Sequence, residues 1–310
     1  MVKTDSKPLV SVVITTKNEE RNIRNCLESI GYQSWKSLEI IVVDNESTDQ
    51  TKKIAKEYTD KVFNKGPERS AQRNYGMIDC SNGKYVIYID ADMLLSPNLI
   101  ENCVLEIVRT NAIALHIPEI VLGKNYFSQV RRFERSFYDG TSIDGARFFL
   151  KEAFIKAGGF DEKLFQKGSG EDWDIDKAVK RLGSIALLSR FSEITASDIW
   201  PLEGFIIDKG VNFDKDFVGI YHNESEFRLI PYLKKKLYYS KGFDGYIQKW
   251  GKNDPDIRRQ FGIYYRYLGV FLEKGKWRRL LGNFQLAMGM YFLRICVGIV
   301  FVTKKLRLNL

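Results

Sequence analysis

The sequence predicts an α/β fold in which helices flank a mostly parallel β-sheet. Short apolar runs rich in β-branched residues recur at 9–14, 38–43 and 85–89, and helical patterns lie between them. Such runs are typical of strands that are buried on both faces of a parallel sheet, and their alternation with helices is the pattern of successive β-α units. In this fold class, ligands bind at the carboxyl ends of the strands.

The segments between the strands have helical spacing. An amphipathic helix that ends at Gly31 follows the first strand, because apolar residues recur there at helical intervals: Ile23, Cys26, Leu27 and Ile30. Residues 49–58 and 69–79 repeat the helical pattern. Pro97 is predicted to open a further helix that runs to about residue 109, with Ser96 as its cap.

Charge divides the chain into two regions. A chain of 310 residues, 44% of them hydrophobic, can form one large domain with an appendage. Residues 230–310 contain 17 basic and 4 acidic residues, a net charge of +13, whereas residues 1–229 carry about −4. We therefore predict an α/β domain over 1–229 and a basic, aromatic and mainly helical region over 230–310 that faces a different partner.

The cysteines and the N-terminus indicate a reducing compartment. The four cysteines lack the spacing of a zinc site or a disulfide framework, so buried thiols are expected: Cys26, Cys80, Cys103 and Cys296. The first eight residues lack the apolar core of a signal peptide. The sequence therefore favours a location in the cytosol.

An apolar segment over 284–302 follows the basic region. At 19 residues it is barely long enough to cross a bilayer, and Arg294 near its middle would cost about 2.5–3.5 kcal/mol there. A tilted span and a helix in the plane of the membrane both remain open. The interleaved basic and aromatic residues favour docking to the anionic cytoplasmic face of a membrane, as a peripheral or singly anchored protein. The alternative is a buried helix of a soluble protein.

The segment Asp90-Ala91-Asp92 follows the third apolar strand. In an extended chain, residues two apart point the same way, so both carboxylates are expected to converge at the strand end. Hard oxygen ligands at this spacing suit Mg²⁺ or Mn²⁺ bound together with diphosphate oxygens. His222 could complete the metal shell opposite Asp92. The alternative is a pair of solvated acids that cap the following helix.

Further polar residues lie near the strand ends. Asp44 ends the second strand and could accept hydrogen bonds from a base or ribose, whereas Asp49 is expected to cap the next helix. Arg69 and Arg73 lie four residues apart on one helical face, and either could reach phosphate or uracil oxygens. A surface pair with neighbouring acids is the alternative.

A second acidic segment lies at 170–176. A calcium loop is excluded, because Lys177 and Gly183 stand where such a loop needs glycine and a bidentate glutamate. The segment instead predicts a loop that enters a helix over 173–182. A carboxylate at that position could act as general base toward an acceptor hydroxyl, a role worth about 10²–10⁴ in rate. Simple helix capping accounts for Asp174 and Asp176.

Six segments, taken in order, resemble the motifs of the inverting family-two glycosyltransferases with the GT-A fold. They are SVVITTKNE (11–19), IVVDNESTD (41–49), QRNYG (72–76), DAD (90–92), GGFDE (158–162) and GEDWD (170–174). Together they cover about residues 9–185. The Gln-x-x-Arg-Trp segment of processive synthases is missing, which favours the transfer of one sugar per encounter.

The resemblance implies roles for individual residues. Asp172 is the base for a single in-line displacement that inverts the anomeric carbon, Asp92 holds Mn²⁺ or Mg²⁺, and Trp173 stacks on an acceptor ring. The implied donor-binding residues are Thr15, Asn18, Glu19, Asp44, Asp90 and Arg147. Beyond the resemblance, we expect Thr16, Arg69, Arg73 and Ala91 to contact the donor, Glu171 to contact the acceptor and His222 to be the second metal ligand.

The expected donor is a UDP-, GDP- or dTDP-linked sugar, and the expected acceptor is polyprenyl-linked. A soluble enzyme that acts on a glycan or a small molecule is the alternative. A nucleic-acid-binding protein would use the basic C-terminal region but would leave the acidic residues without a purpose, so no nucleic-acid partner is expected. A catalytically inactive scaffold is disfavoured because both Asp92 and Asp172 are present.

Overall fold

A computed structural model of the chain describes residues 7–192, 200–224 and 226–308. Its strands form a main sheet of seven and a small sheet of three. In chain order they are β1 (Val10–Thr16), β2 (Leu38–Asp44), β3 (Val62–Asn64), β4 (Tyr85–Asp90), β5 (Met93–Leu95), β6 (Ala114–His116), β7 (Glu119–Val121), β8 (Ala146–Leu150), β9 (Ile185–Leu187) and β10 (Ile220–His222).

The main sheet has the order β3-β2-β1-β4-β8-β6-β9, and its first four strands run parallel. Strand β8 is antiparallel to both of its neighbours, β4 and β6. In register, Thr16 lies opposite Asp44 and Thr15 opposite Asp90, so the carboxyl ends of β1, β2 and β4 meet at one edge. The predicted mostly parallel α/β fold is confirmed.

Helices cover both faces of the sheet and make up most of the C-terminal region. They are α1 (Ile23–Gly31), α2 (Thr51–Ala55), α3 (Arg69–Asn74), α4 (Leu99–Thr110), α5 (Tyr126–Arg135), α6 (Lys151–Lys156), α7 (Glu171–Lys180), α8 (Glu203–Asp208), α9 (Leu229–Tyr239), α10 (Phe243–Trp250), α11 (Pro255–Phe261), α12 (Val270–Leu272), α13 (Trp277–Gly282) and α14 (Phe284–Leu308). Wider π-helical turns follow α3 at Tyr75–Cys80 and α11 at Tyr265–Gly269, and 3₁₀ turns lie at Ser240–Gly242 and Glu273–Gly275.

Several predicted boundaries shift in the structure. The helix predicted over 49–58 is reduced to the five residues of α2. The helix predicted from Pro97 begins at Leu99, and Ser96 does not cap it, because the Ser96 hydroxyl accepts a hydrogen bond from the Gly219 amide at 3.0 Å. Strand β5 accounts for the later start of α4, because its residues pair with β10 before the helix begins.

The central strands bury side chains on both faces. Val12 and Ile14 of β1 face a cluster that includes Leu27 of α1 and Leu99 of α4. Val13 faces the opposite cluster with Met77. Each side chain of this kind stabilises the fold by about 1.5–3 kcal/mol when it is fully buried. The sheet is therefore a rigid platform for the residues at its edge.

Helix α14 packs along α5 through one face only. Met290, Leu293 and Arg294 are buried, and Gly289 allows close approach to Tyr126 and Val130, where an added Cβ would lie 2.6 Å from the side-chain atoms of both. Between Phe284 and Thr303 the helix is long and apolar enough to cross a membrane, and 28% of its most apolar stretch is buried in the fold. The predicted C-terminal helix over 284–302 is confirmed and continues to Leu308.

We expect Gly76→Ala to destabilise the domain by about 1–3 kcal/mol, the usual cost of overpacking a core. A Cβ at Gly76 would lie 2.3 Å from Val13 Cγ1 and 3.1 Å from Val43 Cγ2, so the turn after α3 would be forced off the sheet. Urea unfolding measures the change. The matched control is Gly204→Ala in α8, where nothing lies within 4 Å of the added atom and stability is expected to stay or rise. Equal stability of both variants would contradict the packing described.

Candidate active site

Arg73 joins the two acidic segments that the sequence singled out. Its side chain is 1% exposed; Nη1 lies 2.9 Å from Asp172 Oδ1, and Nη2 lies 3.2 Å from Asp90 Oδ1. The guanidinium also stacks on Tyr88, with 4.2 Å between Cζ and the ring centroid. Helix α3 therefore ties the end of β4 to the start of α7. Both terminal nitrogens of Arg73 contact protein carboxylates, whereas its buried Nε has no hydrogen-bond partner among the described residues. Its assignment to donor binding stays a prediction.

The charges around Arg73 stabilise each other. Burial opposes ionisation of Asp90, but the guanidinium groups of Arg73 and Arg147 outweigh it and hold the pKa of Asp90 below its ordinary value. Thr15 donates a further hydrogen bond to Asp90 Oδ1 at 3.2 Å. For Glu171, burial and then the charge of Asp172 raise the pKa, although Arg69 lies 2.8 Å away. The buried network thus keeps Asp90 ionised.

Asp172 lies at the start of α7 and faces an open cavity. Its Oδ1 accepts hydrogen bonds from Arg73 and from the Tyr88 hydroxyl at 2.8 Å, and about a third of its side chain is exposed. Gly145 makes this placement possible, because a Cβ there would lie 2.9 Å from Asp172 Cβ. With Oδ1 held in this way, Oδ2 is the oxygen that can meet a reacting group.

Asp92 lies in the turn that follows β4. Strand β4 ends at Asp90, and residues 91 and 92 form this turn, so the two carboxylates do not belong to one extended segment and their convergence on one site stays a prediction. Asp92 Oδ2 lies 3.3 Å from His222 Nε2 on β10, which pairs with β5. His222 Nδ1 lies 2.9 Å from Glu119 Oε1. Burial favours the neutral imidazole, but Asp92 and Glu119 outweigh it and raise the pKa of His222 well above its ordinary value.

The Asp92 and His222 pair has the character of a partial cation site. Asp92 Oδ1 is buried without a hydrogen-bond partner in the part of the chain that the structure covers. Glu119 orients the imidazole from behind, an arrangement typical of metal-binding histidines. Across the described residues, no cluster of three or more metal-ligating side chains occurs. The pair thus offers two side chains that could hold a cation, and its assignment as a metal site stays a prediction.

Three of the predicted donor-binding residues lie at the ends of β1 and β2 or in the loops that follow them. Asp44 is fully buried and accepts hydrogen bonds from the amide and the hydroxyl of Ser47, so its carboxylate shapes the loop. Asn18 adopts φ 55° and accepts the Thr48 amide at 2.8 Å. Thr16 is buried at the end of β1, and its hydroxyl has no partner among the described residues. Donor binding by Thr16, Asn18 and Asp44 stays a prediction.

Four more predicted residues border this region. Glu19 accepts a hydrogen bond from Asn22 at 2.7 Å, and burial, followed by the charges of Asp92 and Asp90, raises the pKa of Glu19. Ala91 is buried in the turn. Arg69 and Glu171 form an ion pair on the inner side of the site, and Glu171 is 2% exposed. Acceptor contact by Glu171 therefore stays a prediction.

Trp173 and Arg147 line the cavity that Asp172 faces. Trp173 donates to the Ile143 carbonyl at 2.9 Å and stacks on Phe243, with ring centroids 5.9 Å apart. Arg147 Nη2 lies 3.7 Å from Glu119, while its buried Nη1 has no hydrogen-bond partner among the residues described. The cavity measures about 620 Å³ and extends from Asp172 to the C-terminal helix α14.

Sequence reasoning missed Tyr88 and Glu119. Tyr88 lies within an apolar strand run and has the appearance of a core residue, and Glu119 lies in a three-residue strand far from every motif. Burial opposes ionisation of Glu119, yet Arg135 and His222 hold the pKa of Glu119 well below its ordinary value. No local signal in the sequence marks either residue, because both contacts form only on folding.

Comparison with known proteins finds a family match in the first half of the chain. Residues 11–160, just under half of the chain, match the model of Glycosyl transferase family 2. This segment is therefore similar to that family. The chain is 32% identical over 125 residues to glycosyltransferase GlyA of Streptococcus pneumoniae serotype 4, a match that covers 38% of this chain and 17% of GlyA. The chain thus spans well under two thirds of this relative.

Solved structures share the fold of nearly the whole chain. The mannosyltransferase PcManGT from Pyrobaculum calidifontis, in complex with GDP-Man and Mn²⁺, aligns with a TM-score of 0.58 at 16% identity over 96% of this chain and 85% of PcManGT. Residues 1–349 of S. aureus TarS, in complex with UDP-GlcNAc, align with a TM-score of 0.50 at 14% identity over 97% of this chain and 92% of that one. The GT-A fold is confirmed.

We expect Arg73→Met to destabilise the protein by about 3–5 kcal/mol, because it leaves Asp90 and Asp172 without the guanidinium that they share. The matched control is Arg24→Met, which breaks an exposed pair with Glu57 and should leave stability close to that of the wild type. Chemical denaturation of both variants measures the difference. A loss in Arg73→Met no larger than in Arg24→Met would show that the buried network does not hold the site together.

Proposed function

We propose that the protein transfers a sugar from a nucleotide-diphospho-sugar to an acceptor hydroxyl or phosphate, with inversion at the anomeric carbon. The observation that carries this proposal is the bridge of Arg73 between Asp90 and Asp172, with Asp172 facing the cavity. Arg73 and Asp90 belong to the segment that matches family 2. The GDP-Man bound by PcManGT and the UDP-GlcNAc bound by TarS support a nucleotide-sugar donor.

The donor is proposed to bind along the sheet edge formed by β1, β2 and β4. Thr16 offers an unpartnered hydroxyl there, and Arg147 offers an unpartnered Nη1 that can meet an oxygen of the donor sugar. The loops that carry Asn18, Glu19 and Asp44 would enclose the nucleoside. Asp90, held ionised beside Thr15, would accept hydrogen bonds from ribose or sugar hydroxyls.

Asp172 is proposed as the general base. Arg73 and Tyr88 both donate to Oδ1, so the carboxylate cannot rotate freely and Oδ2 remains directed to the acceptor side. The acceptor oxygen would lose its proton to Oδ2 as it attacks the anomeric carbon in line with the departing nucleotide. A positioned attack from the opposite side of the ring inverts the configuration. Trp173 would stack on the acceptor beside it.

Asp92 and His222 are proposed to hold Mn²⁺ or Mg²⁺. A divalent cation bound there would offset the charge that develops on the departing diphosphate. The unpartnered Asp92 Oδ1 and the Glu119-oriented imidazole support this assignment. Asp92 and Glu119 favour the protonated form of His222 by raising its pKa. A histidine binds a metal as the neutral imidazole, so His222 would lose this proton if it served as a ligand.

We expect Asp172→Asn to lower kcat by about 10²–10⁴, because the amide cannot accept the acceptor proton. The reaction is measured with UDP-, GDP- and dTDP-sugars in the presence of Mn²⁺ or Mg²⁺. Asp92→Asn and chelation by EDTA should each abolish the metal-dependent rate. Asp79→Asn, an exposed acid outside the site, is the matched control and should keep full activity. Retained turnover in both Asp172→Asn and Asp92→Asn would overturn the assignment.

We propose that α14 lies in the plane of a membrane, on its cytoplasmic face. The face that packs on α5 contains Arg294, which pairs with Glu134 at 3.0 Å inside the protein. The opposite face exposes a stripe of apolar side chains at helical spacing: Met288, Phe292, Ile295, Ile299 and Val302, each about half exposed. A helix with one face on the protein and one apolar face free suits the interface better than a span, and surrounding basic residues add attraction to anionic lipid.

The acceptor is accordingly proposed to be polyprenyl-linked. A base that faces a cavity walled by the interfacial helix would meet an acceptor that diffuses in the membrane. The protein would then transfer a sugar at the membrane surface, with the nucleotide-sugar entering from the opposite, aqueous side at the sheet edge. A soluble glycan acceptor would make the apolar stripe of α14 unnecessary.

We expect Ile295→Glu/Ile299→Glu to abolish flotation of the protein with anionic liposomes, since two apolar side chains that would each contribute about 1.5–3 kcal/mol become repelled charges. The matched control is Leu105→Glu/Val108→Glu on α4, where two similarly exposed apolar residues are replaced on the other side of the fold. The control should float like the wild type. Failure of the wild type to float would overturn the membrane proposal.

A further inference from the structure

The cavity beside Asp172 contains a group of cations that lies outside the family 2 motifs. Six of its lining residues are basic, and two of them, Arg135 and Arg147, lie 3.5 and 3.7 Å from Glu119. We call the other four the cation cluster: Arg131 of α5, Lys236 of α9, Arg266 of the second π-helical turn and Arg294 of α14. They come from four separate elements, so only folding brings them together.

The cation cluster carries more positive charge than the protein neutralises. Glu134 pairs with both Arg131 and Arg294, and Glu224 lies 4.0 Å from Arg131. Lys236 and Arg266 make no ion pair with any residue that the structure describes. Burial, followed by the charge of Arg131, lowers the pKa of Lys236 to about 7.

Buried nitrogen atoms without hydrogen-bond partners also indicate that the cation cluster can accept an anion. Arg131 Nε, Arg266 Nη1 and Arg294 Nε are buried and have no hydrogen-bond partner in the described chain. Arg294 as a whole is only 6% exposed. Buried donors without partners are rare in folded proteins because each loses its hydrogen bonds to water. Phosphate oxygens are the acceptors that guanidinium groups match best.

The wall of the cavity next to the cation cluster is apolar. Val297, Gly298 and Phe301 of α14 line it. On the outer side of the same helix, Ile299 is 57% exposed and belongs to the stripe proposed to meet the membrane. The same cavity is also lined by Asp172 and Trp173. A single molecule with an anionic group and a hydrocarbon chain would therefore match the cluster and the apolar wall together.

We propose that the cation cluster binds the phosphate or diphosphate group of a lipid-linked acceptor, with the first part of its hydrocarbon chain against Val297 and Phe301. This inference rests on the proposed glycosyl transfer, because it assigns the acceptor to the cavity of Asp172. The cluster holds the acceptor by its anionic group at one end and leaves the part to be glycosylated at the other. The cluster is distinct from the Asp92 and His222 pair proposed for the donor metal.

The test measures binding of farnesyl phosphate to the full chain by calorimetry, below the critical micelle concentration and without donor. Lys236→Met/Arg266→Met removes the two unpaired cations and keeps their side-chain volume. Loss of two charge-assisted contacts should weaken binding by on the order of 100-fold. Lys234→Met, an exposed lysine on the same helix, is the matched control and should bind like the wild type. Farnesol, inorganic phosphate and pyrophosphate are the comparison ligands.

Each outcome decides the proposal. Unchanged affinity in Lys236→Met/Arg266→Met, or farnesol that binds as tightly as farnesyl phosphate, overturns the anion site. Inorganic phosphate or pyrophosphate that binds as tightly as farnesyl phosphate overturns the lipid assignment. Binding of UDP or GDP with Mn²⁺, measured separately, should be equal in all variants and reports that the fold is intact. A wild type that binds farnesyl phosphate but processes no nucleotide-sugar would refute the proposed function and leave the anion site standing.

Discussion

The buried guanidinium of Arg73 is the interaction on which the candidate site depends. An unpaired charge in such a position would cost several kcal/mol, so the fold is stable only when Asp90 and Asp172 both reach it. These carboxylates belong to elements that are far apart in the chain, the end of β4 and the start of α7. The requirement to neutralise one charge therefore also sets the geometry of the proposed general base.

A second buried ion pair fixes which face of the C-terminal helix α14 packs on the protein. Arg294 of α14 pairs with Glu134 of α5, and this contact turns one face of an apolar helix toward the protein. The opposite face is left exposed, and the inner face becomes a wall of the cavity beside Asp172. The same docking thus relates the catalytic cavity, the cation cluster and the proposed membrane surface to one another.

The helices and strands with the strongest local sequence patterns were predicted best. Strands β1, β2 and β4 agree with prediction to within two residues, because long β-branched apolar runs are unambiguous. Strands of three residues such as β5 and β10 carry no periodicity, and their pairing shifted the start of α4 and removed Ser96 as its cap. The predicted ends of helices and strands were wrong where pairing between distant strands outweighed the local preference of the sequence.

The sequence by itself determined the α/β class, the ordered family 2 motifs and the division of charge between the two regions, because all three are written in local composition and spacing. Only the tertiary structure decided the partners of those motifs. It placed Arg73 between carboxylates, brought Glu119 behind His222, enclosed Asp44 in its own loop and turned Arg294 inward. The physical reason is that ion pairs and burial depend on which distant segments come into contact, and the local patterns of a single sequence do not specify those contacts.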